Sequence, residues 1–111
     1  MHRDFRLYID DILDAVEQIK IYTEGMDEKE FSNDRKTQDA VIRNLEIIGE
    51  AAGSLPQEVQ SEHPEVEWRK MKDMRNILAH EYFGVNITIV WDIIQNKLST
   101  LESACRRIHG K

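Results

Sequence analysis

The stretch MRNILAHEYFG, Met74 to Gly84, sets Arg75, Asn76, His80 and Tyr82 into an otherwise apolar helical run. A helix turns about 100° per residue, so Arg75 and Tyr82, seven positions apart, project within about 20° of each other. Asn76 and His80, four apart, stack on the neighbouring strip. On a straight helix His80 lies about 140° from Arg75. A long arginine side chain and a loosened last turn leave convergence on one phosphate open.

Those residue types suit acid–base cleavage of RNA without a metal. A histidine with an ordinary pKa of about 6.5 takes or gives a proton at neutral pH, as activation of a ribose 2′-hydroxyl or protonation of the leaving oxygen requires. An arginine fork fits two phosphate oxygens and stabilises transition-state charge. Asn76 would orient the imidazole or a phosphate oxygen, and Tyr82 would donate a hydrogen bond or stack on a base. Taken singly, each has a structural explanation too. An arginine between Met71 and Leu78 can snorkel to solvent, and Tyr82 beside Phe83 can be packing with its hydroxyl at the edge.

Other chemistries lack parts. His80-Glu81 begins a metalloprotease-like pair, but position 84, where the second histidine belongs, is Gly84. His2, His63 and His109 are scattered, and Cys105 is the single cysteine, so no metal site is expected and no disulfide can close. Cys105 reads as a packed helix residue. There is no phosphate-cradling glycine loop and no serine nucleophile elbow. No cofactor is implied.

The elements that must position these residues follow from composition and periodicity. At 111 residues, with 41% hydrophobic and 32% charged residues, five Gly and two Pro, the chain fits one helical domain spanning 1–111. No apolar run approaches the roughly 20 residues that cross a bilayer. The N-terminus lacks a secretory h-region, so the expected location is cytoplasmic. Residues 1–54 hold 13 acids and 7 bases, a net of −6, whereas residues 55–111 hold 8 of each. A global cationic footprint for nucleic acid is absent. RNA contact would fall to a local patch of Arg69, Lys70 and Lys72 beside Arg75.

Apolar spacing predicts a first helix over about Arg3 to Glu24, with Phe5, Tyr8, Ile9, Ile12, Val16 and Ile19 on one face. TEGMDEKEFSND reads as a break. A second helix runs from about Asp34 to Ser54, with Val41, Leu45, Ile48, Ala52 and Leu55 apolar. Its small residues Gly49, Ala51, Ala52 and Gly53 have two readings, a Gly53 cap or a close helix contact. Pro56 starts a short helix that Pro64 ends. A third helix covers about Val66 to Tyr82. Gly84 breaks it, Asn86 caps, and a fourth runs from about Ile87 to Ile108 with Val90, Trp91, Ile94, Leu98 and Leu101 inward. Nothing reads as a strand pair. The expected fold is an all-α antiparallel bundle of four main helices plus a short connecting helix.

With the elements in place, RNILAHEY follows the order Arg, four residues, His, one residue, Tyr. It resembles the signature of HEPN domains, and more closely the HepT-like toxins of prokaryotic toxin–antitoxin pairs. RNLEIIGEAA, HPEVEWRKMKDMRNILAHEYFGVN and VWDII are similar to the family in the same order, so the resemblance covers the chain from about Asp39 onward. It implies a symmetric homodimer of HEPN bundles whose two motifs face one cleft, and a metal-independent endoribonuclease acting on tRNA or mRNA. Carried over residue by residue, Arg75 and His80 are the ribonuclease residues and Asn76 the polar residue after the arginine. It further implies a type VII-like HEPN/MNT pair, in which a minimal nucleotidyltransferase antitoxin silences the toxin by AMPylation of Tyr82. A two-fold interface would supply the second acid–base group that one histidine lacks, and would double the local basic charge.

Two other readings compete. One is a non-catalytic helical binding subunit that docks a nucleotidyltransferase or a nucleotide, which suits the acidic first half. The other is a plain helix-bundle dimer, which gives no reason for Arg75 and His80 together.

Overall fold

The computed structural model describes the backbone of residues 4–80 and 86–110, with side chains for all of these except 75–77, 79 and 80. The described residues form helices α1 Phe5–Thr23, α2 Glu28–Ser32, α3 Arg35–Gly53, α4 Gln57–Ser61, α5 Trp68–His80, α6 Ile87–Asn96 and α7 Leu98–His109, with no strand among them. The all-α bundle expected from periodicity is therefore what forms. Its core runs through Ile9, Ile12, Val16 and Ile19 of α1, Val41, Leu45 and Ile48 of α3, and Leu101, Cys105 and Ile108 of α7. The helix α3 packs against both α1 and α5, and α7 closes over α1. None of the described helices is long and apolar enough to cross a membrane.

Local rules explain most boundaries. The carboxylate of Asp4 accepts the Arg6 N–H at 2.9 Å to start α1, and Gly25, at φ +76°, turns the chain after it, a conformation that only glycine adopts freely. The segment expected to be a plain break instead holds α2. Its start is a capping box, in which Asp27 Oδ1 accepts the Glu30 N–H at 2.8 Å and Glu30 Oε1 accepts the Asp27 N–H at 3.2 Å. The buried Gln38 amide then donates to the carbonyls of Phe31, at 2.8 Å, and Ser32, at 3.0 Å, tying α2 to α3.

Three boundaries differ from expectation. Gly53 does not cap α3 in a left-handed turn: it is helical and Ser54 is the cap residue. A Cβ there would lie 3.0 Å from Cγ of Lys72 on α5, so the close-contact reading of the small residues is the one that holds. The helix α4 follows Pro56 as expected but ends at Ser61, before Pro64. The last helix, expected unbroken, divides at Lys97, whose φ of −113° leaves the helical range. No glycine or proline marks that division; the Lys97 ammonium there lies 3.1 Å from Glu67. At Asn86 the cap forms as read, its side chain accepting from Thr88 and Ile89 N–H at 3.0 and 3.3 Å. Gly84 and the end of the third helix at Tyr82 lie outside the described residues.

Ion pairs pin the helices to one another. Glu102 of α7 receives Lys20 of α1 at 2.6 Å and Arg106 at 3.2 Å, and the hydrogen bond from Lys20 is the chief cause holding its carboxyl below the usual range. A carboxyl depressed in the folded state stabilises the fold above its unfolded pKa, and that contribution fades as pH falls through the folded value. Urea midpoints should therefore drop on acidification below about pH 4.3, and Glu102→Gln should make the decline shallower. Identical midpoint-against-pH curves for the two proteins would remove this pair from the acid response. On the same helix, burial pushes the Cys105 thiol up to about 12, so it is a packed apolar residue as read.

Candidate functional site

The helix that carries the motif is held by its apolar stripe. Trp68, Met71, Met74 and Leu78 of α5 are all buried, at the three- and four-residue intervals that make one helical face. The Trp68 indole N–H donates to the His63 carbonyl at 2.9 Å, which fixes the entry to α5. The helical backbone runs without a break from Trp68 to His80, so Arg75, Asn76 and His80 share one helix. Their side chains, and Tyr82 entirely, lie outside the described residues.

The basic patch is partly offset. Arg69, Lys70 and Lys72 are exposed on the first turns of α5. The Lys70 ammonium lies 2.7 Å from Glu67, a carboxylate also shared with Lys97. Hydrogen bonding by Lys70, and secondly by Lys97, holds the Glu67 carboxyl down; Glu67 in turn holds the Lys70 ammonium up, so it is charged at neutral pH. Among the described residues Arg69 and Lys72 make no ion pair. The stem of Lys72 lies along Gly53, so α3 positions one of the three cations.

His63, one of the scattered histidines, is packed inside the bundle. It is buried, with Nδ1 3.4 Å from Glu65, a carboxylate that also receives Arg107 of α7. Among the described residues no three His, Cys, Asp or Glu side chains cluster to hold a metal.

A cavity of about 360 Å³ that no motif in the sequence announces lies between α1 and α3, lined by Tyr8, Asp11, Ile47, Glu50, Ala51 and Ser54. Periodicity had assigned Tyr8 to the apolar face of α1 and gave no hint that Glu50, fourteen residues before Pro64, faces the same space. A helical repeat reports which residues share one helix face, not which faces of two helices meet.

The chain is similar to known proteins over nearly its whole length. The HepT-like family model, described as ribonuclease HepT-like, matches residues 12–108. A candidate RNase of Methanocaldococcus jannaschii is 41% identical, with 98% of this chain and 93% of that protein aligned. A candidate ribonuclease HepT of Thermococcus cleftensis is 39% identical over 97% of this chain and 98% of its own. A candidate RNase of Caldanaerobacter subterraneus subsp. tengcongensis is 38% identical over 96% of this chain and 95% of its own. No solved structure matches.

Proposed function

The chain belongs to the ribonuclease HepT-like family and is an endoribonuclease, and we propose that it is a toxin whose cleavage centre is built from Arg75 and His80. The observation that carries this site is the intact α5 backbone, which holds both residues and Asn76 on one element anchored by Met71, Met74 and Leu78. Positions 75 and 80 are separated by about 7.5 Å along the helix axis and about 140° around it, so convergence on one phosphate asks the long arginine side chain to reach around the helix or the second copy to supply one of the two groups. Histidine chemistry then supplies proton transfer: the 2′-hydroxyl loses its proton, its oxygen attacks the adjacent phosphorus, and the 5′-oxygen leaves with a proton. Arg75 offsets the charge that gathers on the non-bridging oxygens, while Asn76 orients the imidazole or a phosphate oxygen. Arg69, Lys70 and Lys72 guide the RNA backbone, whether of tRNA or mRNA.

Two protonation roles call for two groups, and a homodimer supplies them. Support comes from α6, which begins seven positions after His80. Its residues Ile87, Trp91, Ile93 and Ile94 are only half-buried, and Ile89 is 57% exposed. Only Val90 on this helix is fully buried, so a second copy would cover an apolar face now open to water.

Control would come from a nucleotidyltransferase antitoxin. Transfer of AMP from ATP to the Tyr82 hydroxyl, with release of pyrophosphate, sets a phosphate and an adenosine two residues from His80, where they exclude the RNA phosphate. The test is expression of the chain alone and together with such a partner. Growth arrest alone, relief by the partner and an AMP adduct mapped to Tyr82 by mass spectrometry are expected. A chain harmless on its own would favour the docking-subunit reading, and an adduct on another residue would move the regulatory site.

A further inference from the structure

Among the described residues two carboxylates each receive two lysine or arginine side chains. Glu102 takes Lys20 and Arg106, and Glu67 takes Lys70 and Lys97. Their settings differ. Glu102 is 13% exposed and ties α7 to α1, a helix of four acids and two bases, so it acts as a pin within the bundle. Glu67 is 41% exposed and immediately precedes α5, which carries four bases and one acid. Exposed pairs of that kind contribute little to stability, so holding the fold together is a weak reason for the Glu67 cluster.

The Lys70 ammonium lies 2.7 Å from Oε2 of Glu67 and the Lys97 ammonium 3.1 Å from Oε1, one cation to each oxygen. The two non-bridging oxygens of a phosphodiester offer the same pair of acceptors, and an ammonium binds them as a point charge. With two lysines on one carboxylate the cluster keeps a net charge of +1. Lys72 does not serve this flank: it stands about 160° from Lys70 around the helix, and its stem lies along Gly53 of α3. The second cation comes instead from Lys97, at the division between α6 and α7. Glu67 and Lys97 also wall an open cavity of about 110 Å³, floored by the buried Val66, Met71 and Leu101, which gives the carboxylate room to turn aside.

We propose that Lys70 and Lys97 form a phosphate subsite for the RNA strand, and that the Glu67 carboxylate occupies this subsite in the free protein and yields it when RNA arrives. Lys97 thereby joins the substrate-binding surface, and Glu67 is a built-in competitor that weakens RNA binding. The inference rests on the ribonuclease reading in taking RNA as the ligand, and it is independent of the roles given to Arg75 and His80. It predicts opposite signs for the two partners of one ion pair. Loss of Lys97 weakens RNA binding, and loss of the Glu67 charge strengthens it; a pair that only pinned α5 to the α6–α7 junction would move binding the same way from either side.

The test uses the full chain and a short single-stranded 2′-O-methyl oligonucleotide labelled with fluorescein, which has no 2′-hydroxyl to attack and is bound without being cut. Fluorescence anisotropy in EDTA over a series of salt concentrations gives the affinity and its salt dependence. Lys97→Gln should weaken binding several-fold, and Lys97→Arg should restore it. Lys70→Gln combined with Lys97→Gln should lower the slope of log affinity against log salt by about 0.7, the share of one phosphate on a single strand. Glu67→Gln should tighten binding several-fold, whereas Glu17→Gln, which removes the same charge from an exposed position on α1, should leave it unchanged. All four positions are exposed, and circular dichroism would verify that each variant is folded. Weaker or unchanged binding in Glu67→Gln, or an unchanged salt slope in the double lysine variant, would overturn the subsite and leave the ion pairs as bundle contacts. Equal tightening in Glu17→Gln would overturn it as a general effect of net charge. A parent chain that fails to bind the oligonucleotide at any salt concentration would overturn the RNA reading along with it.

Discussion

His80→Ala should lower RNA cleavage by about 10²–10⁴-fold, the usual contribution of a positioned acid or base, with the helix content unchanged. Ala79 already stands beside it in the sequence, and alanine is the best helix former, so the substitution leaves the α5 backbone undisturbed. Arg75→Ala should cost a similar factor through loss of charge stabilisation at the phosphorus. Combining the two should cost far less than the product of the single factors, because groups that act on one transition state are not additive. Mixed dimers sharpen the test. If each centre draws on both copies, co-folding His80→Ala with Arg75→Ala chains should regenerate a measurable fraction of activity that neither has alone. Cleavage that persists at the parent rate in both single variants would remove the site from α5.

Phe31→Ala should produce the largest loss of stability, about 3–5 kcal/mol, as for other fully buried aromatic residues. Phe31 is completely buried, on a helix of five residues that has no other buried side chain. Its ring lies 5.3 Å from that of Trp91 on α6, tilted by 36°. Its carbonyl accepts the Gln38 amide at 2.8 Å. Removing the ring opens a cavity between α2 and α6 and frees the helix that follows the motif. Trp91 fluorescence should shift to the red as water reaches the indole. The loss in urea unfolding would extend to ribonuclease activity at temperatures where the variant stays folded, since α6 is the face proposed to meet the second copy. A change below about 1 kcal/mol would mean that α2 is not a keystone of the bundle.

Much of the fold was legible because its long helices carry strong apolar stripes. Ile9, Ile12, Val16 and Ile19 were read as inward and are buried, and Asn86 was read as a cap and caps. Short elements were harder. The helix α2 was hidden inside a polar run because its start rests on Asp27 and Glu30 exchanging hydrogen bonds with the backbone, and its one core contact, Phe31, has no periodic neighbour. The division at Lys97 had no breaker residue to announce it; the Lys97 side chain there meets Glu67, thirty positions away in the chain. In the site, spacing alone left Arg75 and His80 ambiguous. The stripe Met71, Met74 and Leu78 was visible and explains how the motif is held, whereas the sharing of Glu67 by Lys70 and Lys97 depends on how α5 meets the α6–α7 junction. Helical periodicity carries no record of such meetings.

The proposed cleavage is metal-independent and proceeds by attack of the ribose 2′-hydroxyl at a centre made by Arg75 and His80. Its most direct test is end-group analysis of a short RNA incubated with the purified, partner-free chain in excess EDTA. The expected products carry 2′,3′-cyclic phosphate and 5′-hydroxyl ends and vanish with His80→Ala. Products with 5′-phosphate ends, or cleavage that needs an added divalent metal, would contradict the account.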